Sequence, residues 1–171
     1  TGVLYVLDEP SIGLHPSNIV GLNGVIRDLV ADGNSVLLVD HDTQILKEAD
    51  WLIEMGPGAG AAGGRVIAEG SVAESRIGGF LSGRADTRIR RPAGAEEMFS
   101  EGRIRLSTSG IHTVKPLEVE IPKGRLTVVT GVSGSGKTTL VLESLVPALK
   151  ALAGGTRLPA HVRAVEAEGI G

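Results

Sequence analysis

The chain has 171 residues, of which 42% are hydrophobic and 22% charged, so a folded globular protein is expected and a disordered one is excluded. Its formal net charge of −3 provides no global basic field that would attract nucleic acid. The absence of cysteine excludes disulfides and thiolate zinc sites in this chain and suits a cytoplasmic location. No apolar run reaches about 18 residues, so no membrane-spanning helix is predicted.

The first part of the chain has the alternation of strands and helices that is typical of an α/β protein. Its first apolar run is rich in β-branched residues and predicts a buried parallel strand. The predicted elements are, in order, a strand at 3–8, a helix from about Ser17 to a cap at Gly33, a strand at 35–40, a short helix capped by Asp42, a strand at 51–55 and an edge strand at 65–70. This order favours a parallel sheet.

A change of composition divides the chain. Residues 83–102 are rich in charge, contain Pro and Gly and lack apolar periodicity, which predicts a linker. The basic cluster within it, from Arg84 to Arg91, is interpreted as a solvated linker and not as a DNA contact, because no aromatic residues are interleaved. Three strands are predicted after the linker, from "RIRLSTSG", "PLEVEIPKG" and "RLTVVT", followed by an amphipathic helix at 139–152.

The segment "GVSGSGKTT" matches a complete phosphate-binding motif between that last strand and that helix. Its glycines allow backbone N–H groups to surround a phosphate, and the helix N-terminus adds partial positive charge. Lys137 is expected to contact the β- and γ-phosphates, and Thr138 to bind Mg²⁺. The residues predicted to bind the nucleotide are Gly131, Ser133, Gly134, Ser135, Gly136, Lys137, Thr138 and Thr139.

Two acidic residues end the first strand, in "VLYVLDEPS". Asp8 is a candidate Mg²⁺ ligand, and Glu9 is a candidate base that orients and deprotonates the attacking water. His41 follows the next strand and could donate a hydrogen bond to a γ-phosphate. We therefore expect Glu9 and His41 to be catalytic.

The set "LDEPSIGLH", "VDHD", "GPGAGAAGG" and "GVSGSGKTT" resembles the UvrA family of ATP-binding-cassette ATPases, with His15 in "SIGLH" typical of that family. The resemblance implies an α/β P-loop NTPase fold with two tandem nucleotide-binding domains. Residues 1–82 would be the C-terminal part of the first domain and 103–171 the N-terminal part of the second. The chain would then be a piece of a longer protein. Asp8, Glu9 and His41 would serve one ATP site and the phosphate loop another.

The family also implies the function of the whole protein, an ATPase that uses ATP and Mg²⁺ to recognise damaged DNA in bacterial nucleotide excision repair. It implies a homodimer, excision-repair partner subunits, no membrane, and zinc only outside this segment. "FLSGR" lacks the second Gly of the family's LSGGQ-type signature, so the isolated chain is expected to be inactive. The end of the chain is similar to UvrA-like drug-resistance paralogues, which leaves a resistance ATPase acting on drug-bound DNA as the alternative. A transporter ATPase is disfavoured by His15.

Overall fold

The computed structural model describes residues 2–72, 94 and 96–167. Most of the predicted linker at 83–102, including Arg84 to Arg91, lies outside these residues, and so does "FLSGR" at 80–84. The predicted strands and helices within the described residues are confirmed, and one strand that was not predicted (Val162–Ala167) follows them. They are β1 (Leu4–Asp8), α1 (Pro16–Ala31), β2 (Ser35–Val39), α2 (Thr43–Leu46), β3 (Trp51–Gly56), β4 (Arg65–Ser71), β5 (Arg103–Thr108), β6 (Leu117–Pro122) and β7 (Leu126–Gly131), followed by a π-helical segment (Thr139–Leu145), α3 (Val146–Gly154) and β8 (Val162–Ala167).

The described residues form two sheets. The central sheet has the order β1-β2-β7-β3-β4, with parallel pairing except for β4, which is antiparallel to β3 at the edge. The small sheet has the order β6-β5-β8 and is antiparallel. The α/β fold predicted from the sequence is therefore confirmed, with β7 in the middle of the central sheet.

Alternate residues of β2 face two separate apolar cores. Val36 and Leu38 pack with α1 and α2 on one face, whereas Leu37 and Val39 pack with the small sheet and the helix after β7 on the other. Because both faces are covered, every residue of β2 is buried. This is why the sequence of β2 is a continuous apolar run.

Local side chains set the helix ends. The His15 ring at the N-cap of α1 accepts a hydrogen bond from the Ser17 backbone N–H at 3.4 Å. Asp42 caps α2 by accepting from the Gln44 N–H at 2.7 Å, as predicted. Gly33 follows α1 with a φ of 79°, which confirms its predicted role at the helix end.

The helix after β7 begins with π-helical winding. Pro147 has no N–H, and its ring would clash with the carbonyl of Glu143 in a regular α-helix. The wider winding of Thr139–Leu145 ends just before this proline, and the Ser144 hydroxyl donates to the Thr139 carbonyl at 3.1 Å. In the part of the chain that the structure describes, no helix has the length and apolar character needed to cross a membrane.

Candidate nucleotide-binding site

The phosphate loop (Gly131–Thr138) joins the end of β7 to the following helix. Gly131, Gly134 and Gly136 all have positive φ, at 140°, 74° and 97°. A Cβ on Gly131 would collide with the carbonyl oxygen of Met55 in β3. The loop therefore requires glycine where it leaves the sheet, for conformation and for space.

The Lys137 side chain turns back across this loop. Its Nζ donates to the carbonyl oxygens of Gly131 at 3.0 Å and Val132 at 3.1 Å, and the residue is only 6% exposed. The two loop carbonyls thus hold the ammonium group in place, and a phosphate oxygen can replace them as hydrogen-bond acceptors. A phosphate oxygen offers a stronger, charge-assisted acceptor for the same group.

The phosphate loop and the first acidic strand meet. The Thr138 hydroxyl donates to Asp8 Oδ2 at 3.3 Å, although the residues are 130 positions apart. This differs from the expectation that the two motif groups serve different ATP sites. The reason is the position of β7, which pairs in parallel with both β2 and β3 and so brings its loop to the same sheet edge as the end of β1. The assignment of 1–82 and 103–171 to two tandem domains stays a prediction.

A buried carboxylate organises the turn that carries Glu9. Asp40 is completely buried and accepts hydrogen bonds from the Ser11 N–H and hydroxyl and from the N–H groups of His41 and Asp42, at 2.7 to 3.2 Å. Asp40 was not among the site residues predicted from the sequence. Its position, directly after a buried strand and before "HD", was the feature of the sequence that could have indicated this role.

Glu9 and His41 lie at the same edge of the sheet. Glu9 has an unusual φ of 47°, and its N–H donates to the Val39 carbonyl at 2.7 Å. His41 is exposed, and its ring makes no hydrogen bond to the described residues. Asp8 ends β1, and the phosphate loop follows β7. His41 comes just after β2, which lies between these two strands in the sheet. Of the two predicted catalytic residues, Glu9 is half-buried and His41 is exposed at this edge of the sheet.

The other side chains predicted to bind the nucleotide, those of Ser133, Ser135 and Thr139, differ in exposure and in hydrogen bonding. Ser133 is exposed at the loop, whereas Ser135 is completely buried and its hydroxyl has no hydrogen-bond partner among the described residues. Thr139 donates to Glu143 at 3.1 Å, and the His112 ring contacts the same carboxylate at 3.0 Å. These hydrogen bonds, that of His112 first, lower the pKa of Glu143 below its usual value. The Thr139 hydroxyl is thus hydrogen-bonded within its own helix.

The side chains at this sheet edge provide only some of the oxygen ligands that a Mg²⁺ ion needs. Asp8 and Thr138 provide two neighbouring oxygen atoms, the ligand type that Mg²⁺ prefers, and a bound nucleotide would supply phosphate oxygens. Within the described residues, no group of three or more His, Cys, Asp or Glu side chains could hold a metal by itself.

Comparison with known proteins finds relatives that are named UvrABC system protein A. No protein-family model matches the chain. The UvrABC system protein A of Chlamydia trachomatis is 48% identical over 155 residues, which cover 87% of this chain and 8% of the relative. The proteins of the same name from Aquifex aeolicus and Thermus thermophilus are 43% and 42% identical, and 16% of each is covered. Among solved structures, UvrA2 from Deinococcus radiodurans has a TM-score of 0.42 and 39% identity, with 91% of this chain and 19% of that chain covered.

The parallel sheet and the glycine loop at its carboxyl edge define an ABC-type P-loop ATPase fold. The chain spans less than a fifth of the length of the curated relatives named above. It belongs to the UvrA family, as its motifs predicted.

Proposed function

We propose that this chain binds ATP together with Mg²⁺ at the carboxyl edge of the central sheet. The observation that carries the proposal is the 3.3 Å contact between Thr138 and Asp8, which joins the phosphate loop to the acidic strand. Membership of an ATPase family supports the same conclusion.

The residues of the site have distinct roles in this proposal. The loop N–H groups bind phosphate oxygens, and Lys137 neutralises the charge of the β- and γ-phosphates. Thr138 and Asp8 would hold Mg²⁺, which supplies charge compensation when bound. Glu9 orients the attacking water and accepts its proton, and His41 donates to the γ-phosphate.

Replacement of Asp8 by Asn tests the metal part of the site. Asn keeps an oxygen that can accept from Thr138 but removes the negative charge. We expect ATP binding, measured by calorimetry, to weaken about tenfold with Mg²⁺ present and to be unchanged or stronger in EDTA, where the substitution removes only a negative charge near the phosphates. The matched control is Asp28→Asn, on the exposed face of α1. Equal affinity of Asp8→Asn and the wild type in Mg²⁺ would contradict the assignment.

For the whole protein we propose the DNA-damage recognition ATPase of bacterial nucleotide excision repair. ATP binding would clamp two nucleotide-binding domains together and hydrolysis would release them, which changes the grip on distorted DNA. The curated relatives bear the name UvrABC system protein A, which supports this function over a drug-resistance ATPase. DNA, excision-repair subunits and a second copy are the proposed partners, in the cytoplasm. The isolated chain would bind ATP without turning it over, because its sequence contains no complete signature segment.

Binding of the complete protein to DNA tests this proposal. We expect lesion-bearing duplex to be preferred over intact duplex, with a preference that changes when ATP is added. Filter binding or fluorescence anisotropy measures both. Equal binding of the two duplexes, together with preference for a drug-bound duplex, would instead support the resistance function.

A further inference from the structure

The glycine segment "GPGAGAAGG" (residues 56–64) lies directly against the phosphate loop. It leaves β3 and forms a short 3₁₀ turn over Gly60–Ala62. The Gly60 N–H donates to the Gly134 carbonyl at 3.3 Å, and the Gly64 N–H donates to the Ser135 carbonyl at 3.0 Å. The segment therefore binds two successive carbonyl groups of the phosphate loop.

The far end of the glycine segment is bound to a tight turn that precedes β6. The Gly64 carbonyl accepts from the Lys115 N–H at 2.6 Å. Gly64 has a φ of 75°, and a Cβ there would collide with the carbonyl oxygen of Thr113. Val114, which is 2% exposed, has its Cγ2 only 2.5 Å from where a Cβ on Gly136 would lie. The segment and the turn thus enclose the loop from Gly134 to Gly136.

These contacts determine where the loop's N–H groups point. A trans peptide group is planar, so its C=O and N–H point in opposite directions. The Ser135 carbonyl faces Gly64, and the N–H of Gly136 is consequently directed away from the glycine segment. In the same way the Ser135 N–H points away from Gly60 and donates within the loop to the Val132 carbonyl at 3.1 Å. It is the N–H groups of such a loop that bind phosphate oxygens.

We propose that the glycine segment is a positioning element for nucleotide binding, which holds the peptide group between Ser135 and Gly136 so that the Gly136 N–H is directed away from the segment and toward the phosphates before the nucleotide arrives. This inference rests on the proposed function of the site. It explains why a second glycine-rich stretch, separated from the phosphate loop by about two fifths of the chain, is needed: any side chain at Gly64 would push the segment away from Thr113 and the loop.

The test compares Gly64→Ala with Gly155→Ala in the 171-residue chain. Gly155 also has a positive φ, 61°, but its added Cβ would meet nothing within 4 Å. Both variants therefore introduce left-handed strain, and only Gly64→Ala disturbs the segment. We expect Gly64→Ala to bind ATP and ADP at least tenfold more weakly than the wild type, and Gly155→Ala to bind both as the wild type does. In the absence of nucleotide, hydrogen exchange of residues 132–137 is expected to accelerate in Gly64→Ala alone.

Val114→Ala is the milder second variant if Gly64→Ala does not fold. It keeps the backbone contacts but removes the methyl groups that pack against Gly136. We expect the affinity for ATP to fall by about three- to tenfold. Exchange at 132–137 that is unchanged in the variant that folds would overturn the inference, whether or not nucleotide binds. Loop exchange that accelerates as expected, in a chain that binds no nucleotide even as wild type, would overturn the proposed function instead.

Discussion

Lys137→Ala is expected to weaken ATP binding at least about 100-fold, which corresponds to about 3 kcal/mol. The ammonium group is buried at the phosphate loop and is held by the Gly131 and Val132 carbonyls, so it is in place before the ligand binds. Its removal takes away the charge-assisted contact to the phosphates and leaves their negative charge uncompensated beside Asp8. Titration with a fluorescent ATP analogue measures the affinity.

Lys150→Ala is the matched control. Lys150 is exposed on α3, further along the chain than the phosphate loop. It removes the same charge from the molecule and is expected to change ATP affinity less than about twofold. A Lys137→Ala chain that binds ATP as tightly as Lys150→Ala would show that the nucleotide binds elsewhere. Steady ATP hydrolysis by the wild-type chain, lost in Lys137→Ala, would contradict the proposed inactivity of the isolated chain.

Asp40→Ala is expected to lower the free energy of unfolding by about 3 kcal/mol. The carboxylate is fully buried and accepts four hydrogen bonds that connect the turn after β1 to the turn after β2. Alanine leaves the buried N–H and hydroxyl of Ser11 and the partly buried His41 N–H without these acceptors, and unsatisfied buried groups are costly. Urea unfolding followed by circular dichroism measures the change.

Asp42→Ala is the comparison for this stability prediction. Asp42 accepts one hydrogen bond as the N-cap of α2, and loss of a cap costs about 1 kcal/mol. The Asp40 variant should also bind ATP more weakly, because the turn that carries Glu9 and the backbone before His41 both lose their anchor. If Asp40→Ala lowers the free energy of unfolding no more than Asp42→Ala does, the hydrogen bonds to Asp40 do not stabilise the chain as predicted.

Elements with strong local signals could be predicted from the sequence. The continuous apolar run of β2, the cap at Asp42 and the strand–glycine loop–helix order around Lys137 depend on nearby residues alone. The Asp8 strand end and His41 were placed correctly on their strands for the same reason. Short-range propensity and periodicity contain that information.

What was missed depends on contacts between distant residues. β8 pairs with β5 through a register shift between Ser107 and Thr108, and its buried side chains, Val162 and Val165, are three residues apart. The alternation that identifies a strand is therefore lost. The contact of Thr138 with Asp8 was missed because no local pattern shows that β7 pairs between β2 and β3.

The central place of β7 has a consequence for the newly made chain. β2 ends at Val39 and β3 at Gly56, but their common neighbour begins only at Leu126. Ribosomes add about 5–20 residues per second, so several seconds pass before β7 is synthesised. When the 171-residue chain is synthesised by itself, β2 and β3 each have an unpaired, apolar edge during that time, which can pair with other nascent chains. Aggregation during translation should therefore compete with folding until residue 131 has left the ribosome, and slower synthesis of residues 57–125 should increase it.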